Sequence, residues 1–167
     1  MNYIFQTQRL RLREFSLQDA SFLIALMNSP GWLQYIGDKD IKTAEAARQY
    51  LLNGPIKSYT DNGFGLSLVE KIDGVPIGMC GIIRRDYLEC PDIGFALLPQ
   101  FTGMGYAYEV ANQTLLHAKS QLKLPKVAAI TMPQNQSSIK LLEKLGMQCS
   151  DTIILPHSKE ALLLYVH

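Results

Sequence analysis

Charged and apolar residues alternate through Arg9-Leu10-Arg11-Leu12-Arg13-Glu14-Phe15. A period of two is the pattern of a strand with one buried and one wet face. The period then lengthens. Ser16, with Asp19 three positions on, supplies a capping hydroxyl and an acid for the first turn of a helix. Phe22, Leu23, Leu26 and Met27 form the stripe of that helix, and Asn28-Ser29-Pro30-Gly31 is expected to end it. A second helix opens at Thr43-Ala44-Glu45-Ala46, with Tyr50 and Leu51 on its buried side. Pro55 lacks an N–H and is expected to interrupt it, leaving a further helical piece over 56–59. Asp61-Asn62-Gly63 reads as a turn.

Three strands follow, over 64–70, 75–83 and 92–98. The turn Ile72-Asp73-Gly74 joins the first two and a looser link, 84–91, joins the next, so an antiparallel meander is expected. A glycine-rich loop then leads into a long helix over 105–121, whose Ala107, Val110, Ala111, Thr114, Leu115, Ala118 and Leu122 share one face. Pro125 punctuates. A strand over 126–132, a helix over 136–145 closed by Gly146, and strands over 147–155 and 161–166 complete the chain. The order predicts an α/β or α+β mixture, and residues 1–167 show no repeat or linker, so one domain is expected.

Charge narrows the partners. Sixteen Lys and Arg against fifteen Asp and Glu leave a net charge of +1, which gives no global field for nucleic acid or an anionic membrane. No apolar run reaches the length of a membrane span. The opening Met1-Asn2-Tyr3-Ile4-Phe5-Gln6 lacks the pattern of a signal peptide, so a cytoplasmic chain is expected. Cys80, Cys90 and Cys149 are odd in number and form no CxxC pair, and His117, His157 and His167 have no ligand spacing. Reduced thiols and no metal site are expected.

The chemistry concentrates in Leu97-Leu98-Pro99-Gln100-Phe101-Thr102-Gly103-Met104-Gly105-Tyr106-Ala107, between a strand and the long helix. The first N–H groups of a helix are unpaired and partly positive. Two glycines remove side chains that would hold a ligand away from them, so the loop suits a phosphate or pyrophosphate. It is not a Walker loop, because no Gly-Lys-Ser/Thr is present. It also fails as a dinucleotide fingerprint: Tyr108 stands where Gly or Ala is needed, and no acid lies at Pro125-Lys126-Val127. Taken alone, the two glycines could equally make only a tight turn.

Gln100-x-x-Gly103-x-Gly105, with Tyr106-Ala107 and Glu109, resembles the acyl-CoA signature of the GNAT acetyltransferases. Asn135-Gln136-Ser137-Ser138 running on to Leu145-Gly146-Met147 resembles the family's Asn-x-x-Ser/Ala…Leu-Gly-Phe block. The strand from Arg9 and the run Asp92-Ile93-Gly94-Phe95 resemble the Rim-type branch, which acetylates N-termini of ribosomal proteins. The resemblance implies a mostly antiparallel twisted sheet, splayed in the middle and flanked by helices. It implies acetyl-CoA as cosubstrate, held by Leu97, Leu98, Gln100, Gly103, Met104, Gly105, Tyr106, Ala107 and Asn135. It implies direct attack of an amine on the thioester, with no metal, by a monomer or homodimer.

The chain departs from the family at two places. The tyrosine that many members carry seven residues after the asparagine is Leu142 here, and the basic residue often found in the loop is Met104. Ser138 is the substitute that the Rim-type branch implies near the sulfur; otherwise it only bonds its own helix turn. Asp92 is the candidate base, with Glu89 beside it; otherwise Asp92 is a solvated turn carboxylate. Glu109 suits a helix N-terminus and reads as structural, and Tyr106 as a packing residue. Trp32 and Tyr35 border the acceptor pocket or make ordinary aromatic contacts. Three functions follow: transfer to a protein N-terminal amine, transfer to a small amine, or a non-catalytic CoA-binding module.

Overall fold

The computed structural model describes residues 2–167; Met1 of the opening segment lies outside them. The alternating stretch forms β2 (Leu10–Arg13), with Leu10 and Leu12 buried. It pairs antiparallel with β1 (Tyr3–Gln6) and β3 (Leu66–Lys71). β3, β4 (Pro76–Ile83) and β5 (Asp92–Leu97) make the expected antiparallel meander. Beyond β5 come β6 (Ala128–Thr131), β7 (Gln148–Ile154) and β8 (Ala161–Val166), in the sheet order β1-β2-β3-β4-β5-β6-β8-β7. β5 and β6 are parallel and meet in register only at Asp92 and Ala128. Ala128 N–H donates to Pro91 O at 2.9 Å, and past that bond the strands part. The eight-stranded, mostly antiparallel sheet is therefore split between its two parallel members.

Helices cover both faces. α5 (Tyr106–Ser120) lays Val110, Ala111, Leu115 and Ala118 against Val69, Ile77, Ile82 and Ile93. α6 (Gln136–Lys144) adds Leu142 to the same core. On the other face, α1 (Ala20–Met27), α2 (Pro30–Tyr35) and α3 (Ala44–Leu51) bring Leu23, Leu26, Met27, Trp32, Ala47 and Leu51 onto Leu68 and Met79. Full burial of each large aliphatic side chain contributes roughly 1.5–3 kcal/mol, so the apolar stripes fix which face each helix presents. No helix among the described residues is long and apolar enough to cross a membrane.

Two elements were not expected and one expectation is corrected. β1 has no clean alternation in sequence, yet Tyr3 to Gln6 pair along β2. Ser29-Pro30 ends one helix as expected but also opens α2, because proline fits the first position of a helix, where no N–H bond is lost. Pro55 does not stop the helix. The chain passes it in a π-helical stretch, Leu52–Ile56, whose wider turn tolerates the missing N–H, and continues as α4 (Lys57–Asn62) to Gly63.

Candidate active site

The split opens a groove of about 1110 Å³. One wall is β5, the other β6 and the start of α6; the loop before α5 closes one end and α2, α3 and α4 the other. Leu97, Gly103, Gly105, Tyr106, Ala107 and Asn135 line it, and so do Ser138 and Asp92. Leu98, Gln100 and Met104 are not in the lining. Leu98 packs against the core beneath α1 and α3, Gln100 lies exposed on a single 3-10 turn (Pro99–Phe101), and Met104 turns outward.

The loop is shaped by two left-handed residues, Gly103 at φ 74° and Gly105 at φ 81°. A side chain there would cost about 1–2 kcal/mol at each position. Gly105 is the N-cap of α5 and has no side chain to offer its N–H groups, so the first turn stays open for an anion. Beneath the loop, Arg9 holds it in shape. Its Nε donates to Glu109 Oε2 at 2.6 Å, its Nη1 donates to the Met104 carbonyl at 2.9 Å, and its guanidinium lies 4.5 Å from the Tyr106 ring centroid. Thr7 Oγ1 and Arg9 N–H also donate to Glu109, at 2.6 and 3.0 Å. Burial pushes the Glu109 carboxyl up, but these bonds and the Arg9 charge prevail and hold it below its ordinary range. Glu109 is thus structural, as the sequence suggested. Arg9 does not line the groove, so it positions rather than binds. Arg9→Ala is expected to weaken binding of a pyrophosphate group at this loop about tenfold, the worth of about one hydrogen bond, while the fold survives; titration calorimetry beside a melting curve checks this.

Across the groove, Asn135 caps α6: its Oδ1 accepts from Ser138 N–H at 3.2 Å, leaving its amide NH₂ outside the cap. Ser138 is half-buried on the first turn. Leu142, where the family's tyrosine would stand, is 1% exposed in the core. Lys140 and Lys144 also line this wall, and Lys144 Nζ lies 4.2 Å from the Tyr108 ring centroid. They supply positive charge to a groove whose loop carries Met104 instead of a base.

At the other end, Trp32, Tyr35 and Tyr50 line the groove with Arg85, Tyr87 and Asp92. Asp92 is not a solvated turn residue: it is 0% exposed. Arg85 Nε donates to its Oδ1 at 2.9 Å, and Arg85 Nη1 donates to Tyr87 Oη at 3.0 Å. Asp92 Oδ2 is buried without a partner. Burial pushes the Asp92 carboxyl above its ordinary range, outweighing the opposing pull of Arg85. Arg85 carried no sequence signal, because it stands in the loose link before β5, where nothing is periodic. Arg9 and Lys140 were hidden among ordinary surface charges. Glu89 is exposed and outside the lining.

A sheet parted between two parallel strands, with a bare helix N-terminus at the mouth of the split, is the architecture of the acetyl-CoA-dependent acyltransferases. The acetyltransferase (GNAT) domain family matches residues 9–148. The uncharacterised protein YkkB of Bacillus subtilis (strain 168) is 30% identical over 153 residues, covering 88% of this chain and 86% of YkkB. The structure of RimL, the ribosomal L7/L12 alpha-N-protein acetyltransferase, in complex with coenzyme A superposes with a TM-score of 0.83 at 16% identity, covering 99% of this chain and 97% of RimL. The spermidine N-acetyltransferase of Vibrio cholerae in complex with CoA and spermine gives 0.79 at 19% identity, with 96% of each chain covered. The chain belongs to the GNAT acetyltransferase family. It is an N-acetyltransferase of a family that takes its acetyl group from acetyl-CoA.

Proposed function

We propose that this protein transfers the acetyl group of acetyl-CoA to a protein N-terminal amine, with Asp92 as base and Ser138 at the leaving sulfur. The observation that carries the reading is a buried carboxylate with a free oxygen, Asp92 Oδ2, in the same groove as the phosphate-binding loop. The N–H groups of 103–107 receive the pyrophosphate, and the parted edges of β5 and β6 receive the pantetheine arm as an added strand. Lys140 and Lys144 balance its charge. The amine attacks the thioester carbon, a C–N bond forms and the C–S bond breaks. Asp92 Oδ2 takes the proton released by the amine, directly or through one water. The Ser138 hydroxyl donates to the departing thiolate.

Charge at the acceptor end supports a protein amine over a polyamine. Lys39, Lys57, Arg84 and Arg85 line it against Asp61 and Asp92. Lys57 pairs with Asp61 and Arg85 with Asp92, whereas Lys39 and Arg84 make no ion pair among the described residues. A polycation meets repulsion there.

Thiol release from acetyl-CoA with a panel of N-terminal peptides, spermidine and small amines tests the reading. Peptides are expected to react and spermidine to lag. Spermidine as the preferred acceptor would overturn the protein-amine assignment, and CoA binding with no release for any amine would leave a non-catalytic module. Ser138→Ala is expected to lower kcat about 10–100-fold, the worth of a hydrogen bond to a charged group, with CoA affinity unchanged. An unaltered kcat would remove Ser138 from the mechanism.

A further inference from the structure

Asp92 is held asymmetrically. Arg85 Nε donates to its Oδ1 at 2.9 Å, while Oδ2 has no partner among the described residues. A guanidinium paired with a carboxylate frequently engages both oxygens through two parallel N–H bonds. Arg85 engages one. Its Nη1 donates instead to Tyr87 Oη at 3.0 Å, and its guanidinium lies 5.9 Å from the Tyr87 ring centroid. The chain is built to deliver this contact. Ile83, the last residue of β4, pairs with Asp92, the first of β5, and Arg85 follows two positions on. Leu88 N–H donates to the Arg85 carbonyl at 3.3 Å, closing a turn that contains Tyr87. With the Asp92 backbone fixed in β5, rotation of its side chain is the freedom left, and the Arg85 bond stops it. No other side chain among the described residues bonds this carboxylate. Tyr50 on α3 also feels Arg85, whose charge opposes the rise that burial gives its phenol. At the β5–β6 junction burial raises the Cys90 thiol, with Lys126 opposing and Asp92 and Glu89 adding to the rise.

We propose that Arg85 positions Asp92 for proton transfer: it occupies Oδ1, so Oδ2 is the oxygen left open to the acceptor amine. Tyr87 steers Arg85 into that one-oxygen bond. The guanidinium also favours the ionised carboxylate, which is the form that accepts a proton. Arg85 is thus a positioning residue that acts through Asp92. The inference rests on the reading of Asp92 as the base.

The test follows kcat/KM against pH, with acetyl-CoA and alanyl-alanine amide, for wild type, Arg85→Gln, Arg85→Lys, Asp92→Asn and the Arg85→Gln, Asp92→Asn double variant. The acceptor's own basicity is common to all five, so a shift of the acid limb between them reports the enzyme. An opposite charge this close lowers a carboxyl by about 1–3 pH units, so Arg85→Gln is expected to move the acid limb up by about that much. Arg85→Lys restores the charge and is expected to bring the limb most of the way back. A role confined to folding would lower Tm and leave the limb in place. On the Asp92→Asn background, Arg85→Gln is expected to cost less than about twofold in kcat, because its partner in the mechanism is already gone. That double variant leaves no buried charge unpaired, so it reads out even where Arg85→Gln alone fails to fold. An unmoved acid limb in a folded Arg85→Gln protein overturns the proposal. So does a further loss of about tenfold or more in the double variant, which would put Arg85 on the acceptor itself. Wild-type turnover in Asp92→Asn, or no thiol release by wild type, overturns the reading beneath the proposal and the proposal with it.

Discussion

Gly105→Glu is expected to lower CoA affinity about a thousandfold in a chain that still folds. Gly105 caps α5 at φ 81° and lies in the wall of the groove. A carboxylate there would stand about 4 Å from a pyrophosphate held on the N–H groups as proposed. At an effective dielectric of about 20, the repulsion is about 4 kcal/mol, or about three decades of affinity. The left-handed backbone adds about 1–2 kcal/mol of strain. An added Cβ also comes within 3.3 Å of Arg9 Nη2, so the loop clamp must shift slightly. Strain of this size is tolerable for a domain with about 5–15 kcal/mol of stability. Gly105→Ala carries the strain without the charge and is expected to stay within about tenfold of wild type. Calorimetric titration of both variants with CoA, beside their melting curves, separates the two effects. A folded Gly105→Glu protein that binds CoA as tightly as wild type would remove the pyrophosphate from this loop.

What the sequence revealed and what it hid follow one physical division. The order of strands and helices was legible because it rests on local periodicity: the alternation around Leu10 and Leu12, the stripe of Val110, Ala111, Thr114 and Leu115, the glycines before α5. The glycine loop was legible for the same reason, since it is a short pattern with one local geometry, whereas Asn135 was picked out by family resemblance alone and its capping of α6 emerged only in the structure. Proline misled twice because its effect depends on position, permissive at the first turn of α2 and absorbed by a π-helical stretch at Pro55. The hidden features are tertiary. Arg9 and Glu109 stand 100 positions apart and meet only because β2 runs under the start of α5. Asp92 looked exposed in sequence, at the end of a polar link. Its burial comes from the β5–β6 junction and from Arg85, neither of which any short-range pattern specifies. Sequence could therefore nominate Asp92 but not its environment, and the proposed role as base rests on that environment.

That environment makes Asp92→Asn the substitution with the greatest expected effect on turnover. Asparagine keeps the shape of the side chain and loses the charge. General-base catalysis contributes typically 10²–10⁴-fold, and kcat is expected to fall by about that amount while CoA affinity holds. The pH profile carries the sharper distinction. Burial raises the Asp92 carboxyl, so in wild type kcat/KM should fall on the acid side at a pH above the ordinary carboxylate range. Below that point the carboxyl holds its proton and cannot accept one from the amine. The variant should lose this acid limb. Stability runs the other way. A carboxyl whose folded pKa is raised favours the fold while protonated, and that contribution is lost as pH rises through the folded value. Asparagine cannot ionise, so at neutral pH the variant escapes the cost of a buried charge. Its own cost is the lost negative charge beside Arg85, which can still donate to the amide oxygen and whose side chain is 31% exposed and can reach water. A Tm near that of wild type, together with a collapsed kcat and a flat acid limb, marks Asp92 as the base. If Asp92 served only to anchor Arg85, the melting temperature would drop, kcat would fall modestly, and the acid limb would persist.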